Sequence, residues 1–225
     1  MTMQFAKSQP LVEQSLMARA FLKQEAGNHP QIGAVQSISQ DHEIFCEGGD
    51  ADYFFKLVSG VVRTCKFLAD GRRQIDAFYV AGDIFGFETD GLHKLSAEAV
   101  TPCTVIAYRR TKLDVLADCD RALSRELLQF AMHGMARAQE HSLLLGRRGA
   151  MEKVAGFLLA WAGSSANGKS ITLAMTRQDI ADYLGLTIET VSRTLSQLER
   201  DHVIALPSAR QIQLRNLDLL EDLAA

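Results

Sequence analysis

The sequence predicts an α+β fold with an N-terminal antiparallel β-roll, a long helix and a C-terminal winged helix-turn-helix. Short runs of alternating apolar and polar residues, separated by recurrent glycines, fill residues 35–110. An unbroken helical period follows, and two short helical patterns joined at Gly185 come later. A length of 225 residues leaves room for about two domains of ordinary size. We place these domains at 1–120 and 147–225, with the long helix at 121–146 between them.

The first part has the pattern of a small β-sandwich or cupin-like β-roll. Asp70-Gly71 lies between two alternating runs and predicts a hairpin turn, and residues 14–23 predict a leading helix. An enzyme built on such a roll would need clustered histidine and carboxylate ligands, but the six histidines are scattered. We therefore assign no catalytic residue. The candidate strands are Val35–Ser39, Phe54–Ser59, Val61–Phe67, Gln74–Val80 and Val100–Tyr108.

The cysteines favour ordinary thiols in or near the core. Cys46, Cys65, Cys103 and Cys119 are separated by 19, 38 and 16 residues, and no CxxC pair occurs. This spacing matches neither a zinc site nor an iron–sulfur site. We therefore predict no metal site and no bound cofactor.

The long helix, from about Arg121 to Leu145, predicts a dimer contact. Its candidate seam residues recur at spacings of three and four, which is typical of a coiled coil, and several of them are small enough for close helix approach. Packing of the helix on the chain's own β-roll is an alternative that does not exclude the seam. The predicted seam residues are Leu128, Ala131, Met135, Ala138, Ser142 and Leu145.

The segment from Thr176 to Leu198 predicts a helix-turn-helix, preceded by a helix over 150–162. Thr176 and Asp179 form a capping-box pattern at the first helix, and Gly185 suits the left-handed residue that ends it. Thr187 can cap the second helix. The residues expected to face the core are Ile180, Ala181 and Leu184 on the first helix and Val191, Leu195 and Leu198 on the second.

The opposite face of the second helix carries side chains that can read DNA bases. Arg193 can donate two hydrogen bonds to guanine, Glu189 can accept from cytosine or adenine, and Ser192 can do either. Ser196 extends this face. The alternative is a salt bridge between Glu189 and Arg193 on a solvated helix, which contributes only about 0.2–0.5 kcal/mol. The preceding capped helix and glycine turn favour DNA reading in the major groove.

Two short strands after this helix predict a wing. The strands are expected at 203–206 and 211–215, with a turn at 207–210 between them. Arg210 would stand at the tip near a phosphate, although a solvated turn residue is an equal alternative. The predicted contacts to the DNA backbone are Thr176, Arg177, Thr187, Thr190 and Arg210.

The formal net charge of −3 does not exclude DNA binding, because affinity depends on a local basic patch. Residues 147–225 carry nine Lys/Arg and nine Asp/Glu, so few phosphate contacts are expected in each subunit. Two subunits on two half-sites would supply the affinity. The sequence lacks an apolar run of 18 residues and the apolar core of a signal peptide. We expect a cytoplasmic protein without a membrane segment.

Together these parts resemble the Crp/Fnr family of bacterial transcription regulators over nearly the whole chain. EGGDADYFFKLVSGVVRT and GRRQIDAFYVAGDIFGF are similar to its cyclic-nucleotide-binding-type sensor domain, and GLTIETVSRTLSQLERDHVI to its recognition region. The ETVSR motif resembles the Fnr and FixK branches. The resemblance implies that Glu189, Ser192 and Arg193 read a TTGA-type half-site in an inverted repeat of double-stranded DNA. It also implies a homodimer that contacts RNA polymerase and activates genes of low-oxygen or nitrogen-oxide metabolism.

The sequence departs from the family pattern at positions that bind effectors, and these departures narrow the effectors that the sensor-type domain could bind. Residues 1–45 contain no cysteine, whereas Fnr proteins hold an iron–sulfur cluster with an N-terminal cysteine group. Phe87 precedes Glu88 where cyclic-AMP receptors require a glycine–glutamate pair, and Leu95 precedes Ser96 where their phosphate-binding arginine is expected. Lys94 is a poor substitute, since lysine lacks the bidentate fork of arginine.

This combination is most similar to FixK-type regulators, which are often controlled through their amount and without an effector. A relative that binds haem and responds to nitric oxide is the first alternative. A β-roll that binds a small effector, beside a C-terminal domain that only contacts proteins, is the second.

Overall fold

The computed structural model of the chain describes residues 33–112, 121–163 and 170–224. These residues divide into two compact units, one that ends at Ser142 and one that begins at Leu143. The boundary falls inside the long helix, which therefore contributes to both units. Within the ranges given, no helix combines the length and the hydropathy that crossing a membrane requires.

The first unit contains two four-stranded antiparallel sheets. One has the strand order β1-β8-β3-β6 and the other β2-β7-β4-β5. A short 3-10 helix at Arg110–Lys112 follows the last strand, and the long helix is α1 (Arg121–Gly146). The strands are β1 (Gly33–Ile38), β2 (Glu43–Phe45), β3 (Tyr53–Ser59), β4 (Val61–Phe67), β5 (Arg73–Val80), β6 (Ile84–Phe85), β7 (Ser96–Ala99) and β8 (Cys103–Arg109).

The two sheets share one apolar core, as a β-roll requires. Successive side chains of a strand point to opposite faces, so alternate residues of β3 and β8 enter this core. The rings of Phe55 and Phe85 stack with their centroids 5.5 Å apart. Burial of each large side chain contributes roughly 1.5–3 kcal/mol. The buried members are Phe55, Leu57, Val62, Phe85, Ala97, Ala99, Cys103, Val105 and Ala107.

The hairpin predicted at Asp70-Gly71 is confirmed. It joins β4 to β5, and Phe67 pairs with Arg73 at the last rung. Gly71 has a φ of 83°, a left-handed conformation that glycine adopts without steric cost. The Asp70 carboxylate accepts the Arg72 backbone N–H at 3.1 Å, which closes the turn.

One face of α1 packs on the β-roll of its own chain. The Lys56 ammonium lies 6.0 Å from the ring centroid of Phe130. Seven residues further along the helix, Arg137 donates to the Asp83 carboxylate at 2.8 Å, and its guanidinium lies 5.4 Å from the ring centroid of Tyr79. Two contacts seven residues apart lie on the same side of a helix. This face is therefore occupied, whereas the described side chains on the opposite face, which we call the free face, are exposed.

The loop between β6 and β7 contains a buried histidine. The His93 ring stacks on Phe45 with the centroids 3.7 Å apart. Its Nδ1 lies 3.8 Å from the Glu88 carboxylate and has no hydrogen-bond partner within the described part of the chain. Burial holds the pKa of His93 below its ordinary value of 6.5, while the nearby Glu88 acts in the opposite direction.

The second unit contains the helix-turn-helix, one helix before it in the sequence, one helix after it and a small sheet. The sheet is antiparallel, with the strand order β10-β11-β9. Val154, Phe157 and Leu158 form the buried stripe of the first helix of this unit. The elements after α1 are α2 (Ala150–Gly163), β9 (Ser170–Thr172), α3 (Arg177–Leu184), α4 (Ile188–Arg200), β10 (Ile204–Ala205), β11 (Gln211–Leu214) and α5 (Leu217–Leu223).

The caps predicted for the helix-turn-helix are confirmed. Thr176 and Asp179 form a reciprocal capping box, in which Asp179 accepts the Thr176 N–H at 2.9 Å and returns its own N–H to the threonine hydroxyl at 3.1 Å. Gly185 has a φ of 63° and ends α3. Thr187 caps α4 by accepting the Thr190 N–H at 3.2 Å. The six residues expected to face the core are all buried.

Several elements differ from their predicted bounds. The strands β2, β6, β7 and β9 and the helix α5 were not predicted, because each has only two to seven residues and lacks a clear period. The run expected at Val100–Tyr108 begins at Cys103, and the run at 203–206 shortens to Ile204–Ala205. Cys46 is exposed, so it departs from the expected core location, whereas Cys65 and Cys103 are buried. The predicted leading helix and Cys119 lie outside the described residues.

We expect His93 to make the β-roll less stable in mild acid. The pKa of His93 is lower in the folded chain than its ordinary value of 6.5, so the unfolded chain binds the proton more readily. Its contribution to stability is complete above about pH 6.5 and is lost as the pH falls, by at most about 1.4 kcal/mol per pH unit. Urea unfolding at about pH 7.5 and about pH 5.5 should show a smaller loss for His93→Gln than for the wild type. The same substitution at the exposed His42 is the control, and equal losses in all three proteins would contradict this assignment.

We expect Gly185→Ala to destabilise the second unit by about 1 kcal/mol. A Cβ at a φ of 63° meets the steric penalty of the left-handed region, although the nearest atom, Leu145 Cδ2, lies at an ordinary 3.7 Å. Gly134→Ala in α1 is the matched control, since a Cβ there meets nothing within 4 Å. That change should stabilise the helix by about 1 kcal/mol. Urea unfolding midpoints that move in the same direction for both variants would refute the argument.

Candidate DNA interface

Helix α4 divides sharply into a buried face and a free face. Val191, Leu195 and Leu198 are buried, and Thr194 joins them by donating its hydroxyl to the Thr190 carbonyl at 2.8 Å. Glu189, Arg193 and Ser196 are exposed on the other side, and Ser192 is half-buried beside them. The structure thus brings the three predicted base-reading residues together along the first two turns of one helix face.

The charges on this face are available to an external partner. Hydrogen bonds from its own backbone N–H and from the Thr187 hydroxyl lower the pKa of Glu189, and the positive charge of Arg193 adds a smaller effect. Glu189 is therefore an ionised acceptor at neutral pH. Within the described residues, no ion pair joins Glu189 to Arg193. Both side chains can accordingly meet a base edge without first breaking a salt bridge.

Four of the predicted DNA-backbone residues surround the N-termini of α3 and α4. Thr176 and Thr187 are the N-caps, and their hydroxyls already accept backbone N–H groups. The Thr187 and Thr190 hydroxyls lie 3.1 Å apart, and Arg177 begins α3. Helix N-termini carry partial positive charge and favour phosphate. The threonines would therefore approach a phosphate as parts of a helix start.

The wing consists of β10, β11 and the turn between them. Arg210 is exposed in this turn, next to the start of β11. Its carbonyl accepts the Leu173 N–H at 2.8 Å, which ties the turn to the segment after β9. The backbone of Arg210 is therefore anchored while its side chain is exposed, a suitable arrangement for a phosphate contact.

The free face of α1 contains most of the predicted seam. Leu128 and Met135 are 62% and 52% exposed, and Ala131, Ala138 and Ser142 are exposed as well. Leu145 is half-buried, and its Cδ2 atom lies 3.7 Å from the position that a Cβ on Gly185 would take, so it lies beside the turn of its own chain. The sequence interpretation missed Met132, which is 54% exposed four residues after Leu128. Its spacing of i+4 was the available signal.

A second residue that sequence reasoning missed is Ile188. It is the first residue of α4, directly before Glu189, and its side chain is more than one-third exposed. An exposed β-branched residue at this position can make an apolar contact with a thymine methyl group. The signal was an isoleucine at a helix start that does not belong to the buried period.

The loop that resembles a nucleotide-binding segment makes its contacts within the chain. Lys94 pairs with Asp90 at 2.7 Å, and this pairing raises the pKa of Lys94. Arg110 donates to the Ala51 carbonyl at 3.0 Å and to the Glu88 carbonyl. Phe87 stacks on Phe54 at 4.6 Å. The basic side chains in and beside this loop are therefore engaged.

Metal ligands are not clustered in the described part of the chain. No group of three or more histidine, cysteine, aspartate or glutamate side chains there is close enough to hold an ion. Cys103 is buried, and burial raises the pKa of its thiol above the ordinary value. A raised pKa leaves less of the thiolate form that binds metals.

Two domain families match the chain in the order that the fold displays. Residues 35–118 match the cyclic nucleotide-binding domain, and residues 152–223 match the Crp-like helix-turn-helix domain. The first match coincides with the two sheets, and the second with α2 to α5. Each match therefore falls within one of the two compact units.

Individual relatives match over most of their length. The nitrogen fixation regulation protein FixK of Azorhizobium caulinodans is 43% identical over 97% of this chain and 92% of its own. FixK of Rhizobium meliloti is 41% identical over 84% of this chain and 86% of its own. Among solved structures, FixK2 from Bradyrhizobium japonicum is 43% identical with a TM-score of 0.80, and the alignment covers 86% of this chain and 98% of that one.

The order of the two domains, the exposed face of α4 and the extent of these matches agree with one another. The protein is a transcription regulator with a DNA-binding helix-turn-helix domain, and it belongs to the FixK branch of the Crp/Fnr family.

Proposed function

We propose that two copies of this chain bind an inverted-repeat TTGA-type site and activate genes under low-oxygen or nitrogen-fixation control. The observation that carries the proposal is the free face of α4, on which Glu189, Ser192 and Arg193 stand together. In this proposal residues 147–225 bind DNA, residues 121–146 join the subunits, and residues 1–120 form the sensor-type domain.

Base reading follows from the chemistry of this face. Arg193 presents two parallel N–H donors that match O6 and N7 of guanine, and the Glu189 carboxylate accepts from the amino group of cytosine or adenine. A TTGA half-site and its complement contain all of these partners. Ser192 and Ile188 add a hydroxyl and an apolar surface near the same helix end, where thymine methyl groups would lie.

Contacts to DNA phosphates would hold α4 in place. Thr176, Arg177, Thr187 and Thr190 surround two helix N-termini, and Arg210 projects from the wing. These groups bind phosphates without regard to sequence and set the orientation of α4. Because they are few in each subunit, one subunit alone would bind weakly.

Dimerisation through α1 supplies the second subunit. Its apolar residues Leu128, Met132 and Met135 are each more than half exposed, although the opposite face of the helix is already packed. A single-sided apolar stripe on a long helix is suited to a second helix of the same kind. Two-fold symmetry of the dimer then matches an inverted repeat in DNA.

Control through the amount of protein agrees with the contacts in the β-roll. The Arg110 guanidinium, which could bind a nucleotide phosphate, is engaged with two backbone carbonyls, and Lys94 forms a surface ion pair with Asp90. The biological setting is taken from the relatives, whose names refer to the regulation of nitrogen fixation. Activation further requires a contact with RNA polymerase.

The proposal is tested by binding of the full-length protein to a TTGA-N6-TCAA duplex and to a scrambled duplex. The wild type should prefer the operator by about a thousandfold or more. Arg193→Ala should lose roughly 5- to 150-fold for each half-site on the operator, because guanine loses its bidentate donor. Its affinity for the scrambled duplex should stay nearly constant. Filter binding at two salt concentrations measures both quantities.

Arg210→Ala is the matched control for that experiment. Loss of a phosphate contact should weaken both duplexes equally and reduce the slope of log affinity against log salt by about 0.9 for each subunit. A wild type that does not distinguish the two duplexes would defeat the proposed operator. An Arg193→Ala variant that discriminates as well as the wild type would defeat the role of Arg193 alone.

Met135→Glu should dissociate the dimer and abolish operator binding at the same protein concentration. The substitution places two negative charges opposite each other in an apolar seam, where desolvation is costly. Sedimentation equilibrium measures the subunit association. Phe67→Glu is the control, since Phe67 on the β-roll is 56% exposed and Met135 is 52% exposed. A Met135→Glu protein that remains dimeric would contradict the seam.

A further inference from the structure

The last backbone carbonyl of α3, that of Leu184, has no hydrogen-bond donor within its own helix. The Gly185 and Leu186 N–H groups both turn back to the Ala181 carbonyl at the end of α3, the latter at 2.9 Å. This leaves the last carbonyls of the helix in need of other donors. Helix α3 has no basic residue in its last turn that could serve.

A lysine from another helix binds one of these carbonyls. The Lys153 ammonium of α2 donates to the Leu184 carbonyl at 3.2 Å, and the bond is partly buried. A cation at a helix C-terminus is also favoured by the helix dipole. Lys153 therefore provides to α3 both the hydrogen bond and the charge that its own last turn lacks.

Two apolar side chains lie beside the same turn. Phe157, one turn after Lys153, packs against Tyr183 with the ring centroids 5.9 Å apart. Leu145 approaches Gly185, with its Cδ2 atom 3.7 Å from the position that a Cβ would take. The end of α3 is thus fixed against α2 and the last residues of α1.

We propose that Lys153 is a positioning residue for DNA reading, and this inference rests on the proposed function of α4. Only Gly185, Leu186 and Thr187 separate α3 from α4, and Glu189 lies in the first turn of α4. Because this segment is so short, a shift of the Leu184 carbonyl would also shift the start of α4 and the Glu189 side chain. Lys153 sets the position of the base-reading side chains without contacting DNA.

This role differs from the one that charge alone would suggest. Lys153 is one of nine Lys/Arg residues between positions 147 and 225, any of which could be counted as a phosphate contact. A phosphate contact releases counterions and contributes to the salt dependence of every DNA complex. A positioning residue changes only the complexes that depend on accurate placement of base-reading groups.

The test is Lys153→Met in the full-length protein, with binding to the operator and scrambled duplexes over a series of salt concentrations. Operator affinity should fall by about five- to tenfold for each half-site, as expected for the loss of one ordinary intramolecular hydrogen bond. Affinity for the scrambled duplex and both salt slopes should not change. Lys153→Arg, which keeps the charge and a donor, should restore most of the operator affinity. Lys94→Met, the same substitution in the β-roll, should have no effect.

Two binding results would overturn the proposal. Equal losses on both duplexes, with slopes reduced by about 0.9 for each subunit, would show that Lys153 contacts phosphate. Unchanged affinity on both duplexes would show that it has no role. Amide hydrogen exchange of the free protein provides a readout without DNA, since Gly185 and Leu186 should exchange about five- to tenfold faster in Lys153→Met.

Exchange at the Ile171 and Ile212 amides, which lie in the small sheet of the same unit, should stay the same and report an intact fold. Unchanged exchange at the turn would also refute the proposal. If the wild type fails to distinguish the duplexes while the turn amides still respond to Lys153→Met, the proposed operator is wrong. In that case Lys153 still stabilises the turn between α3 and α4.

Discussion

The C-terminal unit depends on how α4 is buried. Val191, Leu195 and Leu198 recur at the helical period and enter the core, so the side chains one-half turn away cannot be buried as well. This geometry leaves Glu189, Arg193 and Ser196 in solvent wherever the helix is correctly packed. The same hydrophobic free energy that stabilises the unit therefore also orients the side chains that we propose as base-reading groups.

Much of this unit was predictable because its signals are local. A capping box, a left-handed glycine and an N-cap threonine each act within a few residues, and each specifies where a helix begins or ends. The Asp70-Gly71 hairpin was predictable for the same reason. In these segments the preferences of the residues agree with the tertiary structure.

The remaining features depend on partners that are distant in sequence. Strands β2 and β7 pair with each other across a register shift, and β6 has only two residues, so neither shows an alternating pattern. The bond between Lys153 and the Leu184 carbonyl spans 31 positions, and the pair of Arg137 with Asp83 spans 54. No spacing rule could identify these bonds, because they arise only when the units have folded. The exposure of Cys46, expected near the core, likewise follows from its position after β2 at the start of a loop.

The two-sided character of α1 has a consequence for how the cell could set the output of this regulator. If operator binding requires the proposed pair of chains, the concentration of the binding species at low protein levels rises with the square of the chain concentration. A twofold change in synthesis then gives about a fourfold change in the dimer. The exposed residues Leu128, Met132 and Met135 lie opposite the face that Arg137 attaches to the β-roll. Through the proposed dimer, they would make operator binding change more steeply than the amount of protein.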